Sequence, residues 1–342
     1  MKMDKLTNAR VQKKVFGQVR RAVQDYNMIE DGDRIAVGVS GGKDSITLLV
    51  ALSNLQKFYP KKFELEAITL TLGIGAPDFS AVENLCRNLG INYTIENTLI
   101  GKIVFEAQEE KNPCSLCANM RRGALHNAAK KLNCSKVALG HSRDDVIETF
   151  ILSLFYEGRI NTFSPVTYLS RKDIFVIRPL IYSEAKDIRG FIKSLDIKTV
   201  PSLCYINNIS ANGADSGAGS SADSGADSGA ASSADSGTDS ITDSGANSST
   251  DSITDSGADT ITVNVTDDVT DDVTDSVMNN ISDIVVKGNI ADSAKSIATK
   301  RDFIRSCLLE LQKDVPMVKY NIFGAIKRSG INGWTDSSNK DP

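Results

Sequence analysis

The sequence has no long hydrophobic run. None of its apolar stretches approaches the about 18 to 20 residues that a membrane-spanning helix requires. Residues 1–5, Met-Lys-Met-Asp-Lys, lead into a polar amphipathic helix pattern, whereas a secretion signal would continue into an apolar core. We therefore expect a cytoplasmic protein with no membrane partner.

Histidine is nearly absent and cysteine is sparse. The histidines are His126 and His141, and a second close pair of cysteines or histidines, which a tetrahedral structural zinc site needs, does not occur. In a cytoplasmic protein the cysteines are expected to be reduced thiols, buried residues or metal ligands, because disulfides are rare there. The six cysteines are Cys86, Cys114, Cys117, Cys134, Cys204 and Cys307.

Residues 210–286 contain no aromatic residue and few large apolar side chains. Residues 205–286 contain fifteen aspartates and no glutamate, lysine or arginine, mostly in Ala-Asp-Ser-Gly and Thr-Asp-Ser units. Such a composition cannot bury enough apolar surface to offset the entropy lost on ordering. We therefore predict that residues 205–298 are a disordered, acidic, low-complexity insertion.

This acidic stretch masks the charge of the remaining chain. The whole chain has a net charge of −4, but without those fifteen aspartates it has 39 basic and 28 acidic residues, a net charge of +11. A positively charged folded portion suits a polyanionic partner, and RNA is the first candidate. Basic residues that merely cover a solvated surface would give the same count.

Outside the insertion, predicted strands alternate with predicted helices. This alternation is typical of an α/β fold with a doubly wound parallel sheet. We assign residues 1–30 to an N-terminal helix, 31–204 to the sheet domain and 299–342 to a C-terminal helical segment. The predicted strands are residues 35–39, 63–72, 92–96, 136–141 and 174–177, and the predicted helices are 9–26, 46–55, 79–89, 117–132, 144–156, 183–195, about 303–311 and 318–326.

The loop at residues 40–45 reads Ser-Gly-Gly-Lys-Asp-Ser and lies between a predicted strand and a predicted helix. Backbone N–H groups at such a helix start can cradle a phosphate, and the glycines allow a close approach. The Walker pattern is not met, because Val37 stands where a P-loop needs glycine. An ordinary glycine turn is the alternative. The candidate ATP-binding residues of this loop are Ser40, Gly41, Gly42, Lys43, Asp44 and Ser45.

A second polar loop, residues 140–145, follows the predicted strand 136–141. Since ligands of parallel sheets bind at the carboxyl ends of the strands, the two loops should face one cleft. Gly140 and His141 are therefore further candidates for ATP binding. Alternatively, His141 is a hydrogen-bonded histidine at a strand end, and Asp144 and Asp145 only favour a helix start by their charge.

Cys114 and Cys117 are three residues apart at a predicted helix start, where the helix dipole lowers thiol pKa values. This spacing suits a redox dithiol, half of a zinc site or part of an iron–sulfur site. Cys204 lies in a loop-like context and could supply a third thiolate.

Four motifs together resemble the tRNA 2-thiocytidine synthetase (TtcA) family of PP-loop ATP pyrophosphatases. The resemblance covers about residues 13–204 and resumes at 299–334. It implies a [4Fe-4S] cluster held by Cys114, Cys117 and Cys204, ATP with Mg²⁺ at residues 40–45, and replacement of the C2 oxygen of an anticodon-loop cytidine by sulfur. The motifs are residues 40–45, residues 113–117 with 120–123, residues 138–145, and residues 178–180.

The resemblance also implies roles for single residues and for partners. Arg121 and Asp144 would assist catalysis, and Asp145 is a candidate magnesium ligand. The C-terminal segment, residues 299–342, would contact tRNA. The expected partners are tRNA, a cysteine desulfurase or other sulfur donor, and a second copy of the chain in a homodimer.

The chain departs from the family pattern at three places. Ser142 stands where members usually have histidine, residues 69–72 offer no acid at the end of the second predicted strand, and the acidic insertion directly follows Cys204. A 2-thiouridine synthetase of the related family would carry zinc-finger cysteine pairs, and a tRNA lysidine synthetase would not need the cysteines. A non-catalytic module that binds ATP and tRNA is the alternative outside the enzymes.

Overall fold

The computed structural model describes residues 2–75, 77–105, 113–195, 197–200 and 300–334, except for the side chains of residues 2–8, 105 and 114. All of them belong to one compact unit. The predicted insertion, residues 205–298, and the predicted cluster ligand Cys204 lie outside the described residues.

The described elements alternate as predicted. None of the described helices is long and apolar enough to cross a membrane. In chain order the elements are α1 Lys2–Asp25, β1 Asp33–Gly38, α2 Lys43–Gln56, β2 Phe63–Leu70, α3 Ser80–Leu89, β3 Asn92–Glu96, α4 Ile100–Phe105, α5 Pro113–Lys131, β4 Lys136–Ala138, α6 Arg143–Glu157, β5 Val166–Leu169, β6 Ile174–Ile177, α7 Ala185–Leu195, α8 Lys300–Asp314, α9 Val318–Ser329 and the 3₁₀ turn Ile331–Gly333.

The six strands form one sheet in the order β3-β2-β1-β4-β6-β5. All neighbouring strands are parallel except β5, which pairs antiparallel with β6 so that Val166 lies opposite Ile177. The predicted α/β fold with a mostly parallel sheet is confirmed. The direction in which strands are added reverses between β1 and β4, and such reversals open a crevice at the carboxyl ends of the strands.

Helix α1 covers the sheet domain with the face that its valine spacing predicts. Val15, Val19 and Val23 are at most 1% exposed, because a four-residue spacing places them on one side of the helix. Polar contacts fix the same helix to α7, since Lys14 Nζ lies 2.7 Å from an Asp187 carboxylate oxygen.

The C-terminal segment is part of the same core. Helices α8 and α9 both pack against α6. Trp334 is fully buried, and its Nε1 donates a hydrogen bond to the Phe163 carbonyl oxygen at 3.0 Å. The indole ring packs edge-on against Tyr26 and Phe323, with ring centres 5.8 and 5.5 Å away.

Element boundaries differ from the predictions near the carboxyl edge. Strand β4 ends at Ala138 instead of residue 141, because the chain leaves the sheet there and Gly140 packs against the first turn of α2. Helix α5 begins at Pro113, a residue suited to the first helical position, and not at Cys117. The short helix α4 and the edge strand β5 were not predicted.

Candidate active site at the carboxyl edge of the sheet

The loop between β1 and α2 has the geometry of an anion cradle. Gly41 has a φ of +79°, and a Cβ at this position would lie 2.5 Å from Val200 Cγ2. Gly42 is the N-cap of α2, and no side chain of the described residues caps that helix start. The first N–H groups of α2 therefore remain available to a phosphate, which fits the predicted nucleotide site.

Internal hydrogen bonds hold this loop. Ser40 Oγ and Ser45 Oγ lie 3.2 Å apart, and Ser45 Oγ donates to the Gly42 carbonyl oxygen at 2.9 Å. Lys43 Nζ lies 2.6 Å from an Asp44 carboxylate oxygen, and these two side chains are 39% and 35% exposed. The two serines thus shape the cradle, while Lys43 and Asp44 lie at its surface.

The second polar loop packs directly against the first. A Cβ at Gly140 would lie 3.1 Å from the Asp44 carbonyl carbon and 3.3 Å from the Ser45 nitrogen. Only a glycine allows this approach without displacing one of the two backbones. The structure therefore brings together the two loops that the sequence predicted to face one cleft.

His141 is enclosed beside Phe163. The two ring centres are 4.8 Å apart, and His141 Nδ1 is buried with no hydrogen-bond partner among the described residues. Burial, and then the nearby Arg178 charge, lower the pKa of His141 to about 4. The alternative of a hydrogen-bonded histidine at a strand end is wrong for Nδ1, and the imidazole is neutral at neutral pH.

Ser142 and Asp145 form a capping box at the start of α6. The Ser142 nitrogen and Oγ each lie 2.8 Å from Asp145 Oδ2, and the Asp145 nitrogen donates to Ser142 Oγ at 3.4 Å. The serine that departs from the family pattern therefore has a local role as an N-cap. Asp145 Oδ1 lies 3.6 Å from Arg301 Nη1, and magnesium binding by Asp145 stays a prediction.

Asp144 joins three helices. Its Oδ2 accepts a hydrogen bond from the Ala185 nitrogen at 2.7 Å, and its Oδ1 accepts one from Lys319 Nζ at 2.9 Å. Burial alone would raise the pKa of Asp144, but the Ala185 N–H and the Lys319 ammonium lower it below its usual value. The carboxylate is therefore ionised. The Lys319 side chain is only 24% exposed, so the ion pair is half-buried between α6 and α9.

Two ion pairs between Glu148 on α6 and arginines on α8 were not predicted. Glu148 is buried, and its carboxylate lies 3.0 Å from Arg301 Nη1 and 2.7 Å from Arg305 Nε. The arginines are four residues apart and therefore lie on one face of α8. That spacing was the available signal, but it does not indicate which carboxylate they bind.

Helix α5 lies beside the cradle and carries the cysteine pair. A Cβ at Gly38, the last residue of β1, would lie 3.0 Å from Leu125 Cδ2. Cys117 is 7% exposed in an apolar cluster with Leu72, Ile100 and Val104. Among the described side chains, no group of three or more His, Cys, Asp or Glu residues is arranged to hold a metal ion.

The other predicted residues of α5 differ in position. Cys114 belongs to the first turn of the helix, but its side chain is outside the description. Arg121 and Arg122 are exposed, which agrees with a catalytic or RNA-facing role and equally with a solvated helix face.

Val200 lies on the cradle. Its nitrogen donates a hydrogen bond to the Gly41 carbonyl oxygen at 2.9 Å. Cys204 follows four residues later, and four residues span at most about 14 Å. Its position along the chain therefore allows it to reach the region of the cradle.

The comparisons with known proteins agree with this geometry. A family profile for the PP-loop domain matches residues 11–201, more than half of the chain. A tRNA-cytidine(32) 2-sulfurtransferase from Aliivibrio fischeri is 40% identical over 212 residues, which cover 59% of this chain and 68% of that protein. The chain belongs to the PP-loop family and, within it, to the tRNA 2-thiocytidine synthetases. The resemblance seen in the sequence is confirmed.

A second curated relative of this PP-loop protein has the same name, and one solved structure of a tRNA thiolase is similar in fold. A tRNA-cytidine(32) 2-sulfurtransferase from Ralstonia pickettii is 41% identical over 199 residues, 57% of this chain and 62% of that protein. The chain thus spans about two thirds of the length of these curated relatives. The solved structure of the U34-tRNA thiolase NcsA from Methanococcus maripaludis with its [4Fe-4S] cluster has a TM-score of 0.49 and 25% identity, covering 58% of this chain and 68% of that one.

Proposed function

We propose that the protein is an ATP-dependent tRNA sulfurtransferase that replaces the C2 oxygen of an anticodon-loop cytidine with sulfur. The observation that carries this proposal is the close approach of Gly140 to Asp44 and Ser45, which supports one site formed by residues 40–45 and 140–145. The names of the relatives support cytidine as the target base.

The chemistry needs a better leaving group at C2. The first N–H groups of α2 and the Lys43 ammonium would bind the triphosphate, together with Mg²⁺, and stabilise charge that develops on it. The cytosine O2 attacks the α-phosphate, the bond to pyrophosphate breaks, and the adenylated oxygen later leaves as AMP when sulfur attacks C2. Asp144 is ionised and held in place by two hydrogen bonds, and it would take part in proton transfer or metal binding. Arg121 would stabilise the developing oxyanion.

The cysteines suit an iron–sulfur cluster by their donor chemistry and by the spacing of Cys114 and Cys117. Cys114 and Cys117 are one turn apart at the start of α5, where thiolates are favoured. The apolar neighbours of Cys117 limit solvent access, and Cys204 would supply the third thiolate. When bound by these three thiolates, a [4Fe-4S] cluster would hold the sulfide that a separate sulfur donor delivers for the reaction.

The partners follow from the same proposal. The positive charge outside residues 205–286 and the docked C-terminal segment support tRNA as the substrate. An unpaired loop base is accessible to such a site, whereas a base inside a duplex is not. A cysteine desulfurase or other sulfur donor, a homodimer and a cytoplasmic location complete the proposal.

The test uses the full chain, purified without oxygen, with ATP, Mg²⁺, inorganic sulfide as the sulfur source and tRNA from cells that lack the gene. We expect tRNA-dependent release of pyrophosphate and the appearance of 2-thiocytidine on nucleoside analysis. Lys43→Ala and Asp44→Ala should abolish pyrophosphate release and keep the iron content, whereas Lys57→Ala, an exposed lysine at the other end of α2, should have no effect. Formation of 2-thiouridine, or of no thionucleoside by the wild-type chain, would refute the proposal.

A further inference from the structure

Arg178 directly follows β6 and is buried among neutral partners. It is 9% exposed, and its Nη1 donates hydrogen bonds to the Ser164 carbonyl oxygen at 2.6 Å and to Thr167 Oγ1 at 2.9 Å. Its guanidinium carbon lies 5.0 Å from the centre of the Phe163 ring. Within the described ranges, no carboxylate forms an ion pair with Arg178.

This arrangement leaves a buried positive charge unbalanced. Burial, and then the charge of Arg122, lower the pKa of Arg178 to about 10, so that the guanidinium stays protonated at neutral pH. An unpaired charge in the interior is unfavourable, and arginines with only a structural role are usually paired when buried. An anion from a ligand would provide the balancing charge.

The surroundings of Arg178 add no compensating negative charge. His141 contacts the same Phe163 ring and is neutral, and its Nδ1 and Arg178 Nε are both buried without hydrogen-bond partners in the described part of the chain. Asp145, which acts electrostatically on His141, lies 3.6 Å from Arg301 Nη1, and the charge that acts on Arg178 itself is that of Arg122. The region around Phe163 therefore favours an anion.

The position of Arg178 relates this charge to the candidate active site. Ile177 pairs with Ala138, and the Leu139 nitrogen donates to the Ile177 carbonyl oxygen at 3.0 Å, so Arg178 leaves the sheet beside the loop that packs on the cradle. Strands β6 and β1 are separated by β4, which places their ends roughly 10 Å apart. The candidate triphosphate site at the start of α2 is therefore two strands away from Arg178, and an RNA strand that delivers a base to the cradle would extend beyond that site.

We propose that Arg178 binds a backbone phosphate of the RNA substrate next to the target nucleotide. This inference rests on the proposed function, because it takes RNA as the substrate. The Nη2 atom of Arg178 makes no hydrogen bond to the described residues. Unlike Nε, it is not a buried atom without a partner, so it can donate a hydrogen bond to a phosphate oxygen. Such a contact positions the RNA without reading its sequence.

The experiment measures binding of an anticodon stem–loop RNA and of ATP separately, as a function of salt concentration, with the full chain. Arg178→Gln should weaken RNA binding about tenfold or more, and the slope of log affinity against log salt should fall by roughly 0.7 to 0.9. Arg178→Lys should keep the slope and bind more weakly, because lysine lacks the planar fork. ATP affinity should not change. Arg171→Gln, an exposed arginine in the turn between β5 and β6, is the matched control and should behave as wild type.

The alternatives give different results. Weaker ATP binding with unchanged RNA binding would show that the anion is a nucleotide phosphate and would overturn the proposal. Unchanged RNA affinity and slope in Arg178→Gln, with a loss of unfolding free energy, would show that the arginine is only structural. If Arg178→Gln does not fold, Arg178→Lys decides, since unchanged RNA affinity in that variant contradicts the proposal. A wild-type chain that binds no RNA would instead refute the proposed function.

Discussion

Lys319 Nζ lies 2.9 Å from Asp144 Oδ1 and thereby connects α9 to the first turn of α6. Only about a quarter or less of either side chain is exposed, so solvent screens the pair weakly. Lys319→Met should lower the unfolding free energy by about 1 kcal/mol and reduce the rate of thiolation, because Asp144 loses one of its two anchors. Chemical denaturation and single-turnover rates measure the two effects.

The pH dependence of this variant gives an independent check. The pKa of Asp144 is lowered in the folded state, so the associated stability is present above the ordinary aspartate pKa and is lost as the pH falls through the folded value. Lys319→Met should move the onset of acid unfolding to higher pH. Lys313→Met, which removes an exposed partner of Glu310 on α8, should leave that onset unchanged. Equal behaviour of the two variants would contradict a special role of Lys319.

The Glu148 site should respond asymmetrically to substitution. Glu148 is buried, whereas Arg301 and Arg305 are 36% and 49% exposed. In Glu148→Gln the arginines can be rehydrated, so we expect a loss of about 1 kcal/mol in unfolding free energy. The double variant Arg301→Met with Arg305→Met leaves the buried carboxylate unpaired and should lose about 3 kcal/mol. A larger loss in Glu148→Gln than in the double variant would contradict this explanation.

Gly41→Ala tests the geometry of the cradle. The positive φ disfavours alanine by about 1 kcal/mol, and the added methyl group would collide with Val200. Gly32→Ala is the matched control, because Gly32 has a φ of +82° and a methyl group added there would meet nothing within 4 Å. Both variants should lose stability, but only Gly41→Ala should also weaken ATP binding in calorimetry. Equal ATP affinities would show that the loop is not the nucleotide cradle.

The neutral state of His141 can be observed directly. Its pKa is lowered to about 4, so between about pH 6.5 and 4 the unfolded chain binds a proton that the folded chain does not, and stability falls as the pH falls through that window. The chain has two histidines, so a His126→Gln variant assigns both imidazole signals in an NMR titration. A midpoint for His141 above pH 6 would contradict its enclosure. His141→Gln should reduce the loss of stability in this window.

The cysteines distinguish an iron–sulfur cluster from a redox dithiol. If three thiolates hold a cluster, Cys114→Ser, Cys117→Ser and Cys204→Ser should each lose iron, because each removes one ligand. Cys134→Ser is the control, since burial raises the pKa of this thiol to about 11 and makes it a poor ligand at neutral pH. Iron and sulfide counted after anaerobic purification provide the measurement. Full iron in Cys204→Ser would show that the third ligand lies elsewhere.

Strand bounds and the loop at residues 40–45 could be predicted, because they depend on residues that are adjacent in the sequence. The bounds of β3 and β6 agree with the prediction, because β-branched and apolar residues mark both strands clearly. The cradle was also recognisable, since its glycines, serines and the following helix are contiguous. Strand β5 was not predicted, because it has only four residues at a sheet edge, of which three are half-buried and Tyr168 is exposed.

Long-range polar contacts could not be predicted in the same way. Lys319 and Asp144 are 175 residues apart, and either could have been a solvated charge on a helix surface. The partners of Glu148 are likewise more than 150 residues away. Ion pairs of this kind depend on how α8 and α9 pack against α6, and helical periodicity specifies only which side of each helix faces inward.

The complete burial of Trp334 has a spectroscopic consequence. It is the only tryptophan in the chain, and it lies between Tyr26 near the end of α1 and Phe323 on α9. Its fluorescence should therefore be blue-shifted while the C-terminal segment is docked and shift to the red when that segment detaches. The chain thus contains its own optical probe for detachment of this segment, and no label or activity assay is needed to follow it.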